Sequence, residues 1–209
     1  MFRLIKYVIF FLVLCCLVMP VTGDVFTWTD SDGIRHFSNV SPPDTAENTR
    51  VLEERIGNRV PSDRQFKVVK VYDGDSLLVQ GMDLTLKIRM VGIDAPETGG
   101  SRNPGQPFSR KAHQYLSRQI QDRSVTLKTY GLGGYNRILA EVFINDINMN
   151  LEMVKAGLAE VYQGNLPETF NAAPYLAAQD QAAKRRIGMW VQGSRYKSPR
   201  QWRKENPRN

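Results

Sequence analysis

Between Gln65 and Ile144 the chain passes through five runs rich in Val, Ile and Leu, each cut short by Asp-Gly, Gly-Gly or similar turn chemistry. They are Phe66–Tyr72, Ser76–Gln80, Leu84–Ile93, Val125–Tyr130 and Ile138–Ile144, and their β-branched content predicts five strands. Helical periodicity appears at three places. Phe108–Gln121 puts Phe108, Ala112, Tyr115, Leu116 and Ile120 on one face. Asn150–Ala156 stops at Gly157, a suitable C′ residue, and Pro174–Ile187 opens with proline and closes at Gly188. The order is three strands, a helix, two strands and two helices. That order predicts a small closed or nearly closed β-barrel with helices packed on it.

The remaining segments are organised by charge and turns. With 42% hydrophobic and 23% charged residues the chain has the make-up of a globular protein. Its net charge is +7, but Arg3 and Lys6 supply two of those charges, and six basic residues against Glu205 beyond Gln192 supply five. Residues 24–191 are therefore neutral overall, and bulk charge is no argument for a nucleic-acid groove. Met1–Lys6 is basic, Tyr7–Met19 is unbroken apolar, and Val21-Thr22-Gly23 precedes Asp24. This predicts an export leader over residues 1–23 with cleavage after Gly23, an uncleaved anchor being the alternative, since thirteen apolar residues fall short of the roughly 20 that span a bilayer. The cysteines, Cys15 and Cys16, both lie in that leader, so a redox-indifferent periplasmic or extracellular protein without a stable membrane span is expected. Val25–Thr29 and Ile34–Asn39 flank Asp32-Gly33 and predict a hairpin module over 24–45. It resembles a small W-x-D-x-x-G module of unknown function found in bacterial envelope proteins. Residues 46–64 read as a linker, 65–191 as the barrel domain, and 192–209 as a basic tail without fixed structure. The fold class expected is mainly β with α: a five-stranded OB-type barrel with three helices, preceded by the hairpin module and linker.

Three short stretches hold the residues that a barrel core would not choose. Asp73-Gly74-Asp75 separates the first two strands and, taken alone, reads as a turn. Arg89 lies within an apolar strand that ends in Asp94-Ala95-Pro96-Glu97, which alone reads as a structural Arg89–Asp94 ion pair. Tyr135-Asn136-Arg137 heads another strand and alone reads as a solvated turn. Jointly they say more. Asp75, Asp94 and Glu97 crowd three carboxylates at neighbouring strand ends, which is costly unless a cation sits among them. Hard oxygen donors suit Ca²⁺. Two arginines facing such a cluster suit a phosphodiester, whose pentacovalent transition state gathers negative charge on its equatorial oxygens.

On these residues, Val68 to Trp190 resembles the thermonuclease-type, staphylococcal-nuclease-like family. The family's D-G-D-[TS], R-x-x-x-x-D-x-P-E and Y-x-R motifs stand here as Asp73-Gly74-Asp75-Ser76, Arg89 to Glu97, and Tyr135-Asn136-Arg137. Gly157-Leu158-Ala159 and Trp190 also fit. The resemblance implies that Asp75 and Asp94 are carboxylate ligands of one Ca²⁺, with the Ala95 carbonyl as a third. It implies Glu97 as general base, Arg89 and Arg137 as phosphate clamps, and Tyr135 and Tyr162 as nucleotide contacts. The implied reaction is Ca²⁺-dependent hydrolysis of DNA and RNA to 3′-phosphate products by a monomer. Little sequence preference is expected, because phosphate contacts carry no base information. The chain departs from the family pattern at Gly133, often acidic, and at Asn136, often glycine. Asn tolerates the left-handed region, so the turn can survive.

Two rival readings share the fold. One is a barrel that binds nucleic acid without cutting it, which has no need of a base such as Glu97. The other is an envelope interaction protein with the hairpin as its working part, which predicts no metal-dependent turnover.

Overall fold

The computed structural model describes residues 25–29, 35–38, 47–52, 65–81, 84–100 and 104–207. The chain divides into two units, Met1–Arg55 and Ile56–Asn209. In the first, β1 (Val25–Thr29) pairs antiparallel with β2 (Arg35–Ser38) on one side and with β3 (Glu47–Leu52) on the other. The third strand corrects the linker expected from residue 46. A two-stranded ribbon is marginal in water, and Glu47–Leu52 supplies the additional ladder. The leader over 1–23 and the Asp32-Gly33 turn lie outside the described residues.

In the second unit, β4 (Gln65–Val71), β5 (Ser76–Gly81) and β6 (Leu84–Met90) form an antiparallel meander. After it come β7 (Ile93–Asp94), β8 (Ser124–Gly133), β9 (Arg137–Ile144), β10 (Ile147–Asn148) and β11 (Glu160–Val161). The barrel order is β9-β6-β5-β4-β8, and β8 pairs back onto β9 to close it. The β6–β9 ladder is parallel and the others antiparallel. The barrel is thus a closed five-stranded one, as the order of elements predicts. On β4, Phe66, Val68 and Val71 point inward; a register shift between Val68 and Lys70 lets Lys70 stay exposed while Val71 returns to the core. Phe66, Leu77, Ile88, Met90 and Leu127 are fully buried there.

Among the described residues four α-helices flank the barrel. In α1 (Ser109–Ile120), Ala112, Leu116 and Ile120 recur every four residues and are sealed into the core. Asn148 caps α2 (Met149–Lys155) by accepting from the Leu151 amide at 3.1 Å. Pro174 lies in the first turn of α3 (Ala173–Lys184).

Two departures from expectation shape the site. The single run Leu84–Ile93 is broken: Gly92 takes φ 82°, and a Cβ there would lie 2.1 Å from the Phe170 ring. Only glycine can make this bend. It turns Ile93–Asp94 out of the barrel to pair with Glu160–Val161. The basic tail is also ordered in part, because α4 (Pro199–Glu205) folds within it. Ser198 caps α4 by accepting from the Gln201 amide at 3.1 Å, and Pro199 is buried at its start. Among the described residues no helix is long and apolar enough to cross a membrane.

Candidate active site

The turn between β4 and β5 brings the first carboxylate in. Asp73 Oδ1 accepts from the Asp75 amide at 2.9 Å, which folds the turn on itself. A Cβ on Gly74 would stand 2.6 Å from the Ala95 Cβ and 2.8 Å from the Ala112 Cβ. Glycine therefore lets the turn nest between the Asp94 strand end and α1, pressing Asp75 against both. Asp75 is 4% exposed. Its Oδ1 accepts from the Ser76 hydroxyl at 3.0 Å and pairs with Arg89 Nη1; its Oδ2 accepts from the Ala95 amide at 2.6 Å.

Arg89 stands opposite Ser76 in the β5–β6 ladder. Its Nη2 donates to Asp94 Oδ1 at 2.9 Å and to the Ile93 carbonyl at 3.2 Å. One guanidinium thus bridges two buried carboxylates. Burial pushes Arg89 down from the ordinary arginine range, and the negative charges of Asp94 and Asp73 pull it back. Burial likewise raises the Asp73 carboxyl, with Arg89 opposing the shift. The Arg89–Asp94 pair expected from sequence is therefore present and extends to Asp75.

Glu97 is fixed through its backbone. Gln106, 4% exposed, accepts from the Glu97 amide at 3.1 Å and donates its own amide to the Glu97 carbonyl at 2.9 Å. Its side-chain nitrogen reaches the Lys197 carbonyl at 2.8 Å, so one residue ties Glu97 to the C-terminal segment. The Glu97 carboxylate meets a residue absent from the predicted site: Arg203, on α4, donates to Glu97 Oε1 at 2.6 Å. Arg203 also donates to Asp94 Oδ1 at 3.0 Å and Oδ2 at 2.8 Å. These charge-assisted bonds, first of all those to Asp94, raise its guanidinium above the ordinary range. The contact bridges more than a hundred residues of sequence, so no local pattern announces it. Its one legible signal was Ser198-Pro199, a helix start.

The remaining predicted residues form a rim. Asp75, Arg89, Glu97, Tyr135, Arg137 and Tyr162 all line one cleft of about 1160 Å³, and Trp202 and Arg203 form part of its wall. Arg137 Nε donates to the Gly134 carbonyl at 3.1 Å, and its guanidinium lies over the Tyr135 ring at 5.7 Å. Tyr135 is 92% exposed. Tyr135 and Asn136 take φ of 61° and 52°, so asparagine holds the turn in the left-handed form. Tyr162 is 38% exposed.

Three hard-oxygen side chains meet here, and the cation between them is a guanidinium. Among the described residues no three His, Cys, Asp or Glu side chains are grouped to hold a metal ion. The reason is visible: Arg89 separates Asp75 from Asp94, and Arg203 stands between Asp94 and Glu97. Carboxylate oxygens are the donor type that a hard cation takes, and here Arg89 and Arg203 hold them.

Residues 87–192 match the family described as staphylococcal nuclease homologue. The chain belongs to the staphylococcal nuclease homologue family. The matched span holds Arg89, Asp94, Ala95, Glu97, Tyr135, Arg137 and Tyr162; Asp75 precedes it and Arg203 follows it. Residues 12–63 match a domain of unknown function, DUF4124. The chain is 36% identical over 140 residues to a "Probable endonuclease lcl3" of Sclerotinia sclerotiorum, covering 62% of this chain and 53% of that one. It is 34% identical over 129 residues to a "Probable endonuclease LCL3" of Clavispora lusitaniae, covering 59% and 55%. An "Uncharacterized endonuclease" of Haemophilus influenzae is 36% identical over 145 residues, covering 68% and 75%. The chain spans about half the length of the first two relatives and three quarters of the third.

Proposed function

We propose that this chain is an exported, Ca²⁺-dependent nuclease that hydrolyses DNA and RNA phosphodiesters to 3′-phosphate products with little sequence preference. The observation that carries the reading is that Asp75, Arg89 and Glu97 line one cleft with Arg137 and Tyr135, and that Arg89 ties Asp75 to Asp94 behind it. The names of the endonuclease relatives support it. Export rests on the leader pattern of residues 1–23.

Asp75 and Asp94 would hold the cation, with the Ala95 carbonyl as a further donor. Ca²⁺ held there would shield the negative charge of the phosphate and keep a water close to it. Glu97 takes a proton from the attacking water, whose oxygen forms the new bond to phosphorus. The P–O5′ bond breaks and its electron pair leaves on the 5′ oxygen. Arg89 and Arg137 would face the equatorial oxygens and the leaving oxygen and act as phosphate clamps. Tyr135 and Tyr162 offer ring faces to the nucleotide, which every base can use.

Glu97→Gln tests this directly. The variant should bind a single-stranded oligonucleotide as the parent does and lose at least about two orders of magnitude in cleavage rate, the low end of what a positioned base contributes. Unchanged turnover would remove Glu97 from the mechanism.

A further inference from the structure

Asp94 and Glu97, on which the proposed reaction depends, are both held by one side chain that lies beyond the family match. Arg203 takes both oxygens of Asp94 and one of Glu97. The contact is made by docking, and the docking has its own fixtures. The Tyr196 hydroxyl donates to Glu160 Oε2, and Tyr196 packs on Trp190 with ring centroids 4.7 Å apart. Gln106 holds the Lys197 carbonyl, Arg200 reaches the Gln163 carbonyl at 3.4 Å, and Lys197 pairs with Glu205. Glu160, 2% exposed, is Asp94's partner in the β7–β11 ladder, so the anchor and the site share one strand pair.

The fixtures divide unevenly. Tyr196 and Lys197 are tied to groups of the barrel unit, whereas α4 itself is seven residues long and exposes most of its surface. A helix that short is not stable alone, so it holds its place through Pro199, the Arg200 contact and the Arg203 grip. The last of these is directed at the oxygens that a cation seeks.

We infer that residues 198–207 form a gate on the cation site, in which Arg203 holds the base Glu97 and the cation ligand Asp94 until a divalent ion competes for the Asp94 oxygens. The inference rests on the nuclease reading for the identity of the site, and deepens it with a means of regulation. A divalent ion at Asp94 would face the Arg203 guanidinium as a like charge at close range, so the two exclude one another. Trp202 and Arg203 also form part of the cleft wall, and release of α4 widens the path to the scissile phosphate. Because the coupling is thermodynamic it runs both ways: Arg203 weakens cation binding, and the cation loosens α4.

Calorimetric titration of Ca²⁺ into the full chain and into Arg203→Ala gives the first test. Losing a competitor held by three charge-assisted bonds should tighten Ca²⁺ about tenfold. Equal or weaker affinity in the variant overturns the gate. Amide exchange on the unmodified chain gives the second, needing no substitution. Residues 199–206 should exchange faster in saturating Ca²⁺ than in chelator; unchanged or slower exchange overturns it. The outcomes separate the two proposals. Tighter binding in Arg203→Ala, with no cleavage by either protein, sinks the nuclease and keeps the gate. Cleavage by both at equal Ca²⁺ affinity keeps the nuclease and sinks the gate.

Discussion

The two halves of the cleft are held in opposite ways. At and behind the floor, Asp75 and Asp94 are buried, half-buried Arg89 interlocks them, and nearly every polar atom has a protein partner. On the rim, Tyr135 is almost fully exposed, and Arg137 donates to a neighbouring carbonyl and lies over a ring face. The floor is part of what folds the barrel; the rim is free to meet a ligand. Function and stability should therefore be coupled at the floor and separable at the rim.

The largest effect is expected at Arg89. Replacing it with alanine leaves Asp75 and part of Asp94 as buried charges without their shared partner, which should cost about 3–5 kcal/mol of stability in denaturant unfolding and abolish cleavage. Arg203 still reaches Asp94, so the low end is favoured. Arg137→Ala should leave unfolding within about 0.5 kcal/mol of the parent, since it removes no buried partner. Its cleavage rate should nevertheless fall about 10²–10³-fold, as for loss of one transition-state donor. If Arg137→Ala unfolds as readily as Arg89→Ala, the contrast between floor and rim is wrong.

Much of this was legible in the chain, and the illegible parts share a cause. The five barrel strands could be read because alternation and turn chemistry are local properties. So could the grouping of Asp75, Arg89, Asp94 and Glu97, because charged residues inside apolar strands have to find one another. The break at Gly92 was hidden because Val91 and Ile93 continue the apolar run, and the need for glycine comes from Phe170, far along the chain. The third strand of the first unit was hidden by the polar make-up of Glu47-Asn48-Thr49-Arg50. At the C-terminus a basic surround reads as solvated tail; only the fold shows that Arg203 has carboxylates to meet. Gln106 and Glu160 were invisible for the same reason, since their partners are set by tertiary contact.

The central claim is a phosphodiester cleft that works with a divalent cation. Its most direct test is digestion of supercoiled plasmid and of a single-stranded oligonucleotide by the purified chain, in Ca²⁺ or in chelator, with the fragment ends identified. The account predicts cutting of both substrates in Ca²⁺, arrest by the chelator, and fragments that carry 3′-phosphates. Intact substrates in Ca²⁺, or cutting that continues undiminished in chelator, would contradict it.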